Sequence, residues 1–545
     1  MRLSAPPTRA EHDVCIVGSG PAGLVLAREL QDSGLRVLVV ESGAETATAR
    51  GNRLRAVTSE GIRIKPFSRE RVFGGASTTW AGLSSPLDAI DLTAREWVPL
   101  SGWPIAPEEL QSGYSRSAEL HGFASPNQLR LDGPLAGLRS KGDWHPRWDR
   151  IEEKLFLAAA PAQNFAALHG SIFAGKSADL LLDTSVVRLD TERSSGRVQR
   201  AVFRRSDGTE GAIHAGTFVL ATGGIENARL LLLSRDACDR GLGNEQDQVG
   251  RCLMNHPKNY CGELTFSEPL RSLPYFFGCM HAGFSGYGGL RLAEAFQRER
   301  RVLNSYVRME PLFPWSDSRG VEALVTLAKR NRLLIGSVQR QGRRGTVELR
   351  DYAETGDDSV FQEELRASVL LGHVLQDLPD VLRYAWSRTV SRRKPRIQAA
   401  RLRNFMEMQP DPENRVLLDE RLDEQGVPLP LVRHTVSELD RRSLLELHRQ
   451  LGEELRANGA RLTSPLAQAS PWPVDADASH HMGTTRMGHD PRTSVVTPDL
   501  RVHGVPNLYC AGASVFPTSG CANPTYTIAA LSIRLARHLT GEARS

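Results

Sequence analysis

The first forty residues constrain this chain more than any other stretch. Asp13-Val-Cys-Ile-Val17 is a short apolar strand, and Gly18-Ser19-Gly20-Pro21-Ala22-Gly23 follows without a gap. Leu24 to Ser33 carries a helical pattern, and Leu35 to Val40 reads as a second strand ending at Glu41. The whole is a βαβ unit with G-x-G-x-x-G at its first turn. Glycines at these places let the backbone approach a pyrophosphate, and the helix N-terminus stabilises its charge. Glu41, 18 residues beyond Gly23, suits a free ribose hydroxyl and repels a 2′-phosphate. The spacing predicts an adenine dinucleotide and leaves NAD and FAD both open.

Two features favour FAD. There is one convincing fingerprint, so no second site is provided for a nicotinamide donor. A later apolar strand, Thr217 to Thr222, closes on Gly223-Gly224 and suits a return to the same sheet over the cofactor. Ahead of it, Leu180–Leu189 and Arg197–Arg205 read as a hairpin turning at Ser194-Ser195-Gly196. Gly170 to Ser177 matches the G-x-x-x-x-G-K-S phosphate loop. That loop needs a buried strand before it and a helix after it. Ala160-Pro-Ala-Gln-Asn-Phe precedes it and a strand pattern follows, so the match carries no ATP site.

The length of 545 residues allows two to four domains at roughly 150 residues each. No apolar run approaches the ~18 residues of a membrane span. The polar start offers no apolar core of a secretory signal. Seven scattered cysteines without C-x-x-C read as reduced thiols, and with them we expect a cytoplasmic protein. All but seven of the 68 basic residues are arginine, and the net charge is +5. Residues 321–403 hold 16 basic against 10 acidic side chains, so the surplus is confined to one insertion and no nucleic-acid-binding face is expected. Within it, 365–396 combines an apolar run with Arg392-Arg-Lys-Pro-Arg396. That composition suits either peripheral contact with a membrane or acidic partner, or a solvated helical insertion. The sequence sets no oligomeric state.

The middle of the chain, about 256–464, mixes strands such as Asn414–Leu418 and Leu429–His434 with an amphipathic helix over Ser437–Asn458. The densest chemistry lies in the last 70 residues. His480-His481-Met-Gly483-Thr484 is followed by Gly512-Ala513-Ser514 and by Asn523-Pro524-Thr525, which opens a helix from Tyr526 to Leu539. A histidine accepts a proton near neutral pH, and an asparagine offers both a donor and an acceptor to an alcohol oxygen. The adjacent histidines lack the i, i+4 spacing of a helical metal pair, so no metal is expected.

These blocks resemble the glucose–methanol–choline (GMC) oxidoreductases, most of all the bacterial branch near pyranose oxidase. The resemblance rests on the fingerprint, Arg71-Val-Phe-Gly74-Gly75-Ala-Ser77-Thr78-Thr79-Trp80-Ala-Gly82, Ala221-Thr-Gly-Gly-Ile-Glu-Asn-Ala-Arg229, Pro412-Glu-Asn-Arg415-Val416 and the C-terminal block, in the family's order. It implies FAD, held by Gly18, Ser19, Gly20, Pro21, Ala22, Gly23, Glu41, Ser42 and Arg71. Gly74, Gly75, Ser77 and Thr78 match the loop that covers the flavin, Val186 the residue that reaches the adenine, and Gly512, Ala513, Pro524 and Thr525 the contacts near the ring. His480, in H-x-x-G-T-x-x-M, matches the catalytic base and Asn523 the second catalytic position; His481 lies one place off that register and borders it. The departures are Gly512, where many members carry aspartate, and Thr79, where pyranose oxidase has a flavin-linked histidine.

The expected fold is α/β. A Rossmann-like FAD-binding domain is assembled from 1–90, 176–255 and 465–545. A sheet-and-helix substrate domain takes 91–175 and 256–464, with the basic helical insertion at about 321–403. The implied reaction is alcohol oxidation, with proton abstraction by His480 and hydride transfer to flavin N5. The substrate would be a small polar alcohol: a sugar, glycoside, amino sugar or cyclitol. Oxygen, a quinone or another acceptor would take the electrons. Strand alternation through Phe405-Met-Glu407-Met-Gln409 would offer Glu407 and Gln409 to the substrate, with His481 beside them. The alternatives are a non-redox flavoprotein of the hydroxynitrile lyase type and the oxidation of a non-sugar alcohol.

Covalent attachment of FAD at the 74–82 loop needs a histidine or cysteine, and that loop has neither. The FAD should therefore be non-covalent. Acid precipitation should release all the yellow colour into the supernatant; colour left in the protein pellet would overturn this.

Overall fold

The computed structural model describes residues 1–7, 12–65, 68–133, 136–175, 177–192, 194–330, 366–391, 395–474 and 479–541. Its centre is a six-stranded, all-parallel sheet. The strands run in the order Arg2–Leu3, Ala178–Leu181, Val37–Val40, His12–Val17, Ala215–Leu220 and Leu508–Cys510. Val37, Leu38, Val39 and Val40 are all buried, as strands covered on both faces require. The fingerprint helix is Pro21–Leu30, with Gly20 at its N-cap and Pro21 in its first turn, where a missing N–H costs nothing. It packs against the C-terminal helix Thr525–Thr540.

The sequence reading of Leu180–Leu189 as one strand differs from the structure. Asp183 takes φ 51° and breaks the run. The first half joins the parallel sheet. The second, Thr184–Thr191, pairs antiparallel with Val198–Arg205 and, beyond it, Glu210–Ile213 in a separate three-stranded sheet. The phosphate-loop look-alike is a 3-10 turn, Gly170–Ala174, behind the short helix Phe165–His169; its lysine, residue 176, lies outside the described residues.

A second, eight-stranded antiparallel sheet draws on Ile151–Ala159, Lys258–Asn259, Glu263–Leu270, Cys279–His281, Phe284–Leu292, Tyr306–Leu312, Ile397–Phe405 and Ala460–Thr463. Helix Glu438–Ala457 buries Leu444, Leu447, Leu451 and Leu455 in the core beside this sheet, and Ser437 caps it by accepting from the Asp440 amide. The hairpin Arg415–Leu422/Pro428–His434, expected with this half of the chain, instead pairs in parallel with Thr58–Gly61 and lies against helix Gly224–Leu233.

Part of the basic insertion is described. Helices Arg319–Arg330, Ala367–Gln376 and Leu378–Trp386 pack together, with Leu370 and Val381 buried between them. Val369, Leu371, Leu375, Leu378, Leu382 and Trp386 are exposed on the outside. The remainder of that segment, 331–365 and 392–394, lies outside the described residues. No helix among the described residues is long and apolar enough to cross a membrane.

One sequence expectation is corrected here. The strand ends at Phe405, so the alternation that would have aimed Glu407 and Gln409 at a substrate stops short. Glu407 is instead fully buried and held bidentate by Arg95, at 2.9 and 2.6 Å, with the Asn304 amide also donating to it. Its carboxylate is committed to the core, where an ion pair holds only while both partners remain. Arg95→Met should cost about 3–5 kcal/mol by leaving that charge uncompensated. The urea midpoint should fall accordingly, and Arg95→Met combined with Glu407→Gln should recover most of the loss. An unchanged midpoint in the single variant would refute the buried pair.

Candidate active site

Three glycines shape the entrance to the central sheet, each for a different reason. Gly18, at φ 106°, crosses so close to the next strand that a Cβ would sit 2.6 Å from the Ala221 carbonyl oxygen. A Cβ on Gly23 would come 2.0 Å from the Gly18 oxygen, so only glycine lets the helix pack on its own turn. A Cβ on Gly20 would meet nothing within 4 Å. The middle glycine thus faces a cradle in front of the helix N-terminus, the place where a pyrophosphate must approach the backbone.

That cradle belongs to a cavity of about 350 Å³. Of the residues assigned to the cofactor, Gly18, Gly20, Pro21, Ala22, Glu41, Ser42, Arg71, Gly75, Gly512, Ala513, Pro524 and Thr525 line it. Val186 lines a smaller space of about 50 Å³ that shares Gly18, Ser42 and Arg71 with the first. The others act from behind. Ser19 donates to the Glu41 carboxylate from its amide at 3.0 Å and from its hydroxyl at 2.7 Å. Ser77 donates to the Gly74 carbonyl at 2.7 Å and accepts from the Phe165 amide, and Thr78 donates to the Gly75 carbonyl. They fix the turn in which Gly74 and Gly75 take positive φ, and a Cβ on Gly75 would press on Gly20 at 2.9 Å. An open glycine cradle at a helix N-terminus, a buried acid beside it and a basic side chain at Arg71 fit a dinucleotide such as FAD.

Sequence reasoning missed the electrostatics of this end. Half-buried Glu226 is gripped by Arg69, by Arg71 at 3.0 Å and by Arg229 at 3.3 Å; Arg229 also meets Asp423 at 2.7 Å. Burial alone would raise the Glu226 carboxyl, but the Arg71, Arg229 and Arg69 guanidiniums outweigh it and hold it far below the usual carboxylate range. The glutamate lay in the Ala221–Arg229 block, but nothing in one sequence joined it to Arg69 and Arg71.

At the other end of the cavity stand His480, His481 and Asn523. Gln409, like Glu407, is absent from the lining. His480 reaches a residue the sequence reading overlooked: its Nδ1 lies 2.9 Å from His256 Nδ1, while His256 Nε2 lies 2.8 Å from the Gly520 carbonyl oxygen. A carbonyl only accepts, so His256 carries its proton on Nε2. Burial pushes the His256 pKa down to about 4, the Gly520 carbonyl opposing and nearby Lys258 adding to the fall, so the ring is neutral near pH 7. Its Nδ1 is then an acceptor, and His480 must donate from Nδ1. The chain fixes one tautomer of His480, with the lone pair on Nε2. Asn255 adds a clamp by accepting from the His480 amide at 2.9 Å. Asn523 donates one N–H to the Leu83 carbonyl at 2.9 Å, which leaves its second N–H and its Oδ1 for other partners. No cluster of metal-ligating side chains occurs among the described residues.

A family model described as GMC oxidoreductase matches residues 410–532, and one described as FAD dependent oxidoreductase matches residues 13–238. 6'''-Hydroxyparomomycin C oxidase of Streptomyces lividus is 36% identical over 96% of this chain and 90% of its own length. The fructose dehydrogenase large subunit of Gluconobacter japonicus is 26% identical over 69% of this chain and 57% of its own length. Among solved structures, pyridoxine 4-oxidase from Mesorbium loti has the same fold, with a TM-score of 0.54 at 18% identity over 97% of this chain and 99% of that one.

His480→Ala should retain FAD, since the glycine cradle does not depend on it. The rate of flavin reduction by substrate should fall by about 10²–10⁴, the usual share of a general base. Near-wild-type reduction would remove His480 from the chemistry.

Proposed function

The chain belongs to the GMC oxidoreductase family, and from that premise we propose that it oxidises one hydroxyl of a sugar-like polyol with His480 and Asn523 as its catalytic residues. It is an FAD-dependent alcohol oxidoreductase. The observation that carries the site assignment is the Gly520–His256–His480 hydrogen-bond chain at the cavity wall that Asn523 shares.

The roles follow from the hydrogen bonds. His480 Nε2 accepts the hydroxyl proton, and the charge that develops on its ring is shared through the Nδ1–H bond to neutral His256. Asn523, braced by Leu83, directs its second N–H at the alkoxide oxygen as negative charge grows there. FAD, when bound, supplies the two-electron acceptor for the carbinol carbon. Gly512, Ala513, Pro524 and Thr525 give that end of the cavity small walls beside the two catalytic groups, and His481 borders them. Trp80, Tyr287, Tyr306 and Phe405 add apolar wall, which limits water around the developing alkoxide. We assign the parallel sheet and its helices to cofactor binding and the eight-stranded sheet to substrate binding. FAD is held without a covalent bond: Thr79, at the cavity wall, offers only a hydroxyl.

Two relatives support the substrate class, since one is named for an aminoglycoside and the other for fructose. Anaerobic mixing of the holoenzyme with neutral sugars, glycosides, cyclitols, aminoglycosides and simple alcohols reads the reaction as flavin bleaching. Polyols should bleach it and short alcohols should not, and readmitted oxygen or a quinone should restore the colour. Bleaching by simple alcohols alone would overturn the polyol reading.

A further inference from the structure

The apolar wall at the substrate end of the cavity carries two hydroxyls that the exclusion of water does not require. Phe284–Leu292 and Tyr306–Leu312 are antiparallel neighbours in which Arg291 stands opposite Tyr306. Side chains on one face of a sheet recur every second residue, so Tyr287 shares the face of Arg291 and Tyr306. Between Tyr287 and Arg291 on that face is Gly289, where a Cβ would lie 2.8 Å from Tyr306 Cδ2 and 3.1 Å from Phe156 Cε2. The Tyr306 ring fills the room that the glycine leaves, and the two phenol oxygens meet at 3.1 Å. Both tyrosines are buried, at 1% exposure each, and both line the cavity.

The packing leaves the cavity little of Tyr306 except its hydroxyl edge. Phe405 stacks on the ring at 4.5 Å and 3°, and Phe156 at 4.3 Å and 21°. Two near-parallel rings at these distances cannot share one face, so each covers its own. Gly289 lies against the Cδ2 edge, which leaves the opposite edge and the hydroxyl for the lining. These rings form one buried cluster with Tyr287 and Cys521, and Leu83 packs against it. Cys521 is two residues before Asn523, and the Leu83 carbonyl accepts from Asn523. The hydroxyl pair therefore belongs to the Asn523 end of the cavity.

The hydrogen bonds of the pair do not close. A phenol donates once and also accepts. One hydroxyl spends its proton on the other, and the second proton has no acceptor among the described residues. Burial, with Tyr287 beside it, holds the Tyr306 phenol well above its ordinary pKa, so its proton stays in place at neutral pH. A buried donor left without an acceptor is costly, which calls for a partner in the cavity.

We propose that the Tyr287–Tyr306 pair binds a second hydroxyl of the polyol while the hydroxyl to be oxidised lies at His480 and Asn523. The proposal rests on the polyol reading above and deepens it. The unspent O–H donates to the substrate oxygen. A substrate hydroxyl both donates and accepts, and the pair meets it in either sense, because either phenol can be the donor within the pair. Holding two hydroxyls at once fixes which carbinol reaches His480. A monohydric alcohol would leave the buried O–H unpaired, which gives a physical reason for its rejection.

The test takes whichever of glucose, galactose, glucosamine and myo-inositol bleaches the holoenzyme fastest under anaerobic conditions, together with its monodeoxy analogues. Flavin reduction efficiency is measured for the wild type, Tyr287→Phe and Tyr306→Phe. Removing the oxidised hydroxyl abolishes the reaction. Among the other analogues, one should fall at least about tenfold below the parent polyol, the scale of one buried donor left unpaired. Each variant should lose a similar factor on the parent and far less on that analogue, because the hydroxyl that the pair binds is already missing from it. FAD content of each variant reports its folding. Equal losses on the parent and on every analogue would give the tyrosines a purely structural role and overturn the proposal. Variants that reduce the flavin with the parent polyol at the wild-type rate would overturn it as well. Either result leaves the polyol reading intact. A flavin bleached by none of the four polyols would overturn both.

Discussion

The structure depends on a backbone approach that side chains would forbid. The Gly18 turn, the Ala221 strand exit and the first turn of helix Pro21–Leu30 meet within distances at which a single Cβ would collide with carbonyl oxygens. That contact sets how the helix leans on the sheet and leaves the space in front of Gly20 open. The same economy recurs at Gly224, where a Cβ would lie 2.2 Å from the His481 carbonyl oxygen. The first turn of the helix that follows the cradle strand is thereby packed directly against the segment carrying the proposed base. The cradle and the His480–His481 segment are registered to each other by backbone contact.

Buried amides complete the joining of distant segments. Asn227 accepts from the Thr222 amide at 2.9 Å and donates to the Ala511 carbonyl at 3.0 Å and to Ser514 Oγ at 2.9 Å. Asn507 accepts from the Val198 amide and donates to the Val198 and Gly216 carbonyls. Each side chain replaces backbone partners that a strand end or loop would otherwise leave unsatisfied in the core. A chain whose central sheet draws strands from 2–40, 178–220 and 508–510 needs such ties, because no local hairpin connects them.

What the sequence made legible follows from range. The fingerprint, Glu41 and the capped helix after Ser437 are local patterns, and the structure has them where the residues place them. The failures at the site involve partners far away in sequence. Glu407 sits in a run that alternates as a strand should, yet Arg95, 312 residues earlier, claims it for the core. His256 carried no local signal beyond its type, although it lies beside His480 across 224 residues. Asp183 broke an apolar run because its backbone takes a left-handed conformation, which propensity alone gives no reason to expect.

The arginine richness of the composition acquires meaning once the residues are placed. At the cofactor end Arg69, Arg71 and Arg229 surround Glu226, and Arg229 also pairs with Asp423, so three guanidiniums face two carboxylates. In the eight-stranded sheet Arg308 stands opposite Arg403, and Glu310, two residues along the same strand, pairs with Arg308. His256 shows what a placed positive charge does to a neighbour. It sits neutral within reach of Lys258, and that positive charge helps to keep it unprotonated. The Lys258 charge therefore opposes protonation of the histidine whose lone pair holds His480 in the tautomer that can act as a base.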